Sequence, residues 1–253
     1  MKLSYANLLS PYPLRLNIGS VKKPKLKDIA EMSFERFNEY QVLLRFQSAL
    51  NTASEDNGQK VADAFEIIVQ TKSFQEEYVE MFNFFFEERV VFHDSFFILL
   101  DKKFKEAEIH DLESEFDVQD VKGIISEKNF GDLTEVIAQI CGMEYEGEEE
   151  APKFKNKLAE KLYKKMEKAR KKNAVFNKEN KNFSIPNIIS AVASKHPSLN
   201  FANIWDITIY QLIDTFQRLQ MNAAYEINAR SVSIWGDKKK KFDDSIWFKN
   251  RFD

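Results

Sequence analysis

Glycine and proline, the residues that most readily interrupt regular secondary structure, number only 7 and 6 in this chain of 253. Together they make about 5% of it, against the roughly 12% of an average protein. A chain so poor in breakers is a poor candidate for collagen-like, low-complexity or turn-rich β designs. It also holds 23 Phe, 8 Tyr and 3 Trp within a hydrophobic fraction of 43%, ample material for a buried core. Charged residues, 30% of the total, are dispersed among the apolar ones, the mixture of amphipathic helices. The expected fold is mainly α, a multi-helix globular protein.

With 37 basic and 40 acidic residues the net charge is −3, which asks for neither nucleic acid nor a membrane surface as partner. One cysteine, Cys141, excludes an internal disulfide and fits a reducing compartment. The first residues, Met1 to Tyr5, lack the apolar run of a secretory signal or membrane span, and Pro11 and Pro13 follow closely. A soluble cytosolic protein is expected.

Pro13 to Val21 alternates apolar and polar residues around Gly19, which predicts a small N-terminal β-ribbon. From Asp28 to Leu50 the apolar spacing predicts one helix, followed by a polar loop and a second helix from about Gln59. Phe74 to Phe104 is apolar over most of a helical girth. That predicts either a buried core helix or an aromatic groove receiving another helix, in which Phe82, Phe85 and Phe86 would be contacts. Phe116 to Asn129 reads as a short helix, and Asp132 or Thr134 as the cap of the next. The acidic stretch from Glu144 to Glu150 marks the best boundary. It divides the chain into a ribbon-plus-helix domain, 1–147, and a helical domain, 148–253, with a basic helix and charged tail. Within the second, Ser184 caps a helix with Pro186 in its first turn. A long helix then runs from about Asn203 to Ala229 with Ile204, Ile207, Ile213, Phe216, Leu219, Ala223 and Ile227 inward.

No catalytic, cofactor-binding or metal-binding residues emerge. His93, His110 and His196 are far apart with no partner at metal-ligand spacing, and no phosphate-binding glycine loop occurs. Cys141, beside Ile140, reads as a buried structural thiol. The lysine-rich helix Lys153–Lys172 follows the glutamate cluster that neutralises much of its field. A solvated face or a complement to the acidic linker is therefore expected there, binding of an acidic protein segment comes next, and nucleic-acid binding is the weakest reading.

Three stretches resemble a known family. They are Leu9–Ile29, with its ribbon, glycine and Pro-x-Leu-x-Asp-Ile run into a helix; Phe116–Val118 through Ile124–Asn129; and Asn203–Leu219. Their order and pattern are similar to tail assembly chaperones, tail-morphogenesis proteins of long-tailed phages of Gram-positive bacteria. The resemblance implies a non-catalytic protein without cofactors that holds the apolar helices of the tape measure protein, or another tail protein, in the infected host's cytoplasm. Such a protein is absent from the mature virion. Trp205, Tyr210 and Phe216 would then be contact anchors or core residues. Self-association stays open. The rival from another class is a phage regulatory or anti-defence protein that occupies a host protein.

Overall fold

The computed structural model describes residues 1–46, 64–101, 120–143, 183–237 and 242–249. In chain order the elements are α1 (Tyr5–Leu9), β1 (Leu14–Leu16), β2 (Gly19–Val21), α2 (Leu26–Met32) and α3 (Phe34–Leu44). Then come α4 (Ala64–Gln70), α5 (Lys72–Phe85), β3 (Arg89–His93), β4 (Phe96–Leu100), β5 (Val121–Ile125) and α6 (Glu127–Ile140). The last are α7 (Ile185–Lys195), a 3-10 turn (Ile204–Asp206) and α8 (Ile209–Trp235).

β1 and β2 pair antiparallel in the register Leu14↔Val21 and Leu16↔Gly19, so the expected N-terminal ribbon is present. The expected mainly α fold is not. β3, β4 and β5 form a second antiparallel sheet in that order, and the protein is mixed α/β. The correction falls in the aromatic block. Only its first part, α5, is helical; from Arg89 the chain makes a hairpin with Val90 opposite Leu99 and Phe92 opposite Phe97. A continuous apolar run has no period to separate a buried strand from a buried helix. Here Val90, Val91 and Ile98 favour the extended chain. The turn is made by Asp94 and Ser95, both with positive φ, +47° and +67°, the conformation a two-residue hairpin needs. Non-glycine residues fill both positions, so the usual turn signal is missing.

Two further helices change accordingly. The segment expected as a short helix ending near Asn129 is β5, paired to β4 through Ile98↔Ile124. The following helix starts earlier than expected, with Ser126 as cap and Asn129 closing a reciprocal capping box. Likewise the single helix expected from Asp28 breaks at Ser33, whose φ of +107° turns the chain between α2 and α3 while its hydroxyl caps Arg36. The helix expected from about Gln59 is described from Ala64 onward. Ser184 and Pro186 open α7 as expected. The 147/148 boundary, His110 and the basic helix Lys153–Lys172 lie outside the described residues.

Aromatic rings knit the core. Phe65 of α4, Tyr78 and Phe82 of α5, Phe97 of β4 and Phe130 of α6 form one cluster, with Phe82 and Phe97 edge-to-face at 5.2 Å. The buried Tyr78 hydroxyl donates to the Leu43 carbonyl at 2.9 Å, so the most interior phenol keeps a partner. Ile188, Ile189, Val192, Ile204, Ile209 and Leu212 join this same core.

Candidate functional site

Helix α8 is built in two halves. Its start is fixed by a capping box between Thr208 and Gln211 and by backbone bonds into the body. The Ile209 amide donates to the Pro24 carbonyl at 3.0 Å, and the Leu26 amide to the Ile207 carbonyl at 3.0 Å. Ile209, Tyr210 and Leu212 are buried. Asp214 is buried as well and accepts from the Tyr5 hydroxyl at 3.0 Å.

From Gln220 onward no residue of α8 is buried. The helix is 27 residues long, about 40 Å at 1.5 Å per residue, and its second half stands away from the core as an arm. Ile227, expected inward, is 69% exposed; Ile234 and Trp235 are 69% and 75% exposed. Gly236, at φ +69°, ends the helix, a positive φ that glycine adopts without a Cβ penalty. The tail returns along the arm. Phe242 packs on Tyr225 at 5.8 Å, and Arg218 donates to the Lys249 carbonyl at 2.9 Å. Trp247 and Phe248, in edge contact with each other at 4.9 Å, remain exposed.

The expected contact residues divide differently. Phe82, Phe85 and Phe86 are interior, each at most 1% exposed. Phe86 bridges its backbone to Val21, and Phe85 accepts from the Lys22 amide. They serve the core and do not line a groove. Tyr210 is buried with the root of α8, whereas Trp205 and Phe216 are half-buried against the core. Phe216 meets the exposed Phe183 edge-to-face at 6.5 Å. On the arm and tail, the exposed residues that sequence reasoning did not single out include Ile234, Trp235 and, as contacts, Trp247 and Phe248. The spacing gave no warning: Ala223, Ile227 and Ile234 continue the stripe that anchors the helix root.

Among the described residues the reactive side chains do not converge. Cys141 is fully buried at the end of α6, and burial pushes its thiol pKa up, which keeps it protonated. His93 lies 3.2 Å from Asp94 on the exposed hairpin turn, and His196 accepts from the Ser198 and Leu199 amides. Among the described residues no group of three or more His, Cys, Asp or Glu could hold a metal ion, and no helix is long and apolar enough to cross a membrane.

Fold and surface together define a mixed α/β body with a solvent-facing helical arm that exposes Ile227, Ile234 and Trp235, and a tail folded onto it. The family model described as YomV second domain matches residues 177–251, which include the whole arm. That family is phage-associated. No curated protein and no solved structure matches the chain.

Proposed function

We propose that this chain is a phage tail assembly chaperone, a non-catalytic protein that binds the apolar helices of the tape measure protein during tail assembly in the host cytoplasm. The observation that carries the reading is the arm. Trp235, Trp247 and Phe248 are exposed on it, inside the segment similar to a phage-associated family. Exposed apolar side chains mark interaction surfaces where they group, as the Trp247–Phe248 pair does beside the helix, and Trp235 adds a further exposed ring at the helix end. Aromatic rings dominate the energetics of such contacts, each contributing up to about 1.5–3 kcal/mol when fully buried. Amphipathic helices of varied sequence can be held this way, because ring contacts impose little side-chain specificity.

Affinity capture after co-expression with the tape measure protein of the same phage tests the reading. The tape measure protein is expected to co-purify. Trp235→Ala, Trp247→Ala and Phe248→Ala combined are expected to reduce its recovery at least tenfold while leaving thermal unfolding nearly unchanged. Recovery from infected cells of a host immune or regulatory protein, with no tape measure protein, overturns it in favour of the anti-defence alternative.

A further inference from the structure

The exposed half of α8 carries a second pattern. Gln220, Ala224, Ile227, Ser231 and Ile234 are all exposed, and their spacing of four, three, four and three residues lines them up as a helix-pairing seam. The tail contacts α8 at Arg218 and Tyr225, which share a different stripe one heptad apart, so among the described residues the seam stays open beside it.

Along the seam, small and branched side chains alternate. An antiparallel second copy with its two-fold axis on the seam side of α8, at the height of Ala229, sets Ile227 of each chain opposite Ser231 of the other. The same register sets Ile234 opposite Ala224. Every branched side chain then meets a small one, which permits close helix approach. A parallel copy instead stacks Ile227 on Ile227 and Ser231 on Ser231. Charge agrees with the antiparallel choice. Exposed Glu226 and Arg230 flank the seam on one side, and antiparallel pairing brings Glu226 of each copy within one turn of Arg230 of the other, twice by symmetry.

We infer that the exposed face of α8 pairs antiparallel with the same face of a second copy of this chain, through Ala224, Ile227, Ser231 and Ile234. The inference needs only this face and does not rest on the tape measure reading. Gln220 to Trp235 spans about 24 Å, which puts the pair near the lower end of specific interfaces, roughly 1,200 Å² in total. An interface of that size fits a weak, reversible dimer.

Sedimentation of the full chain over a concentration series tests it. A monomer–dimer equilibrium is expected, weakened at least tenfold by Ile227→Glu with Ile234→Glu, whose exposed sites leave thermal unfolding unchanged. Cysteine crosslinking sets the orientation, since the native Cys141 is buried. Mixed Ile227→Cys and Ser231→Cys chains are expected to crosslink efficiently under mild oxidation, and Ala229→Cys chains, substituted on the opposite side of α8, are expected not to. A monomer up to several hundred micromolar, a dimer indifferent to the two glutamates, or better crosslinking of Ile227→Cys alone than of the mixture each overturns the proposal.

Discussion

Gly123 of β5 lies against the backbone of Ile18 in the β1–β2 turn: a Cβ at Gly123 would stand 2.2 Å from the Ile18 carbonyl oxygen and 2.6 Å from its Cα. The two small sheets thus touch at the one residue type whose lack of side chain permits it. Gly123→Ala is expected to cost about 2–3 kcal/mol, since backbone on both sides must move. Gly131, inside α6, has open space where its Cβ would go. Gly131→Ala is expected to add about 0.5–1 kcal/mol. Urea midpoints of the two variants should move in opposite directions.

The hairpin turn offers a gain. Asp94 and Ser95 both sit at positive φ, which an L residue other than glycine adopts at a cost of about 1 kcal/mol. Ser95→Gly is therefore expected to stabilise the protein by several tenths to about 1 kcal/mol. Thermal unfolding should show a rise of about 1–4 °C for a chain of this size. No rise, or a fall, would mean that the turn does not hold this conformation in solution.

Arg36 of α3 ties that helix to α5. Its guanidinium donates to both carboxylate oxygens of Glu80, at 2.6 and 3.2 Å, while the Tyr40 hydroxyl donates to Glu80 at 3.0 Å. The hydrogen bond from Arg36 holds the Glu80 carboxyl below its ordinary value of 4.5, Tyr40 adds to this, and partial burial opposes it. The folded state therefore binds this proton less readily than the unfolded state. The stabilisation is present above pH 4.5 and is lost as pH falls through the lowered folded value. Because Glu80 is 59% exposed, its worth is discounted to about 0.5–1 kcal/mol. Glu80→Gln is expected to be less stable than the parent at pH 7 by that amount, with the difference closing in acid. Denaturation at several pH values checks this, and a difference that persists undiminished below the acid transition would contradict it.

These contacts also mark what the sequence could disclose. The ribbon, the Ser184–Pro186 helix start and the apolar stripe at the root of α8 follow from local rules: period, cap and breaker. The second sheet does not, because its strands are too short and too uniformly apolar to show alternation, and its turn uses aspartate and serine in place of glycine. Gly123 fell inside a stretch expected as helix, because its actual reason, contact with Ile18, is set by residues far away in sequence. The arm escaped notice for a related reason. Ile227 continues the spacing of an inward stripe, and only the distance from the core, a tertiary fact, turns that stripe outward.

The tail's attachment to α8 can be loosened without touching the core. Arg218 joins three parts of the protein: its guanidinium donates to the Lys249 carbonyl at 2.9 Å and to the Tyr5 hydroxyl at 3.4 Å, and the same hydroxyl serves Asp214. Within residues 242–249, the Phe248 amide donates to the Ser245 carbonyl and the Phe242 amide to Asp237. These local bonds persist only while the segment stays docked, so their exchange with solvent reports its opening. One exposed, charge-assisted hydrogen bond is worth about 1 kcal/mol here, roughly a fivefold change in the docking equilibrium. Arg218→Ala is expected to speed exchange at the Phe242 and Phe248 amides about fivefold while core amides of α5 and α6 stay protected. Tyr225→Ala, which removes the ring under Phe242, should add to the effect. If Arg218→Ala instead loosens α5 and α6 together with the tail, its contact with Tyr5 dominates, and Arg218 acts on the body more than on the segment it holds.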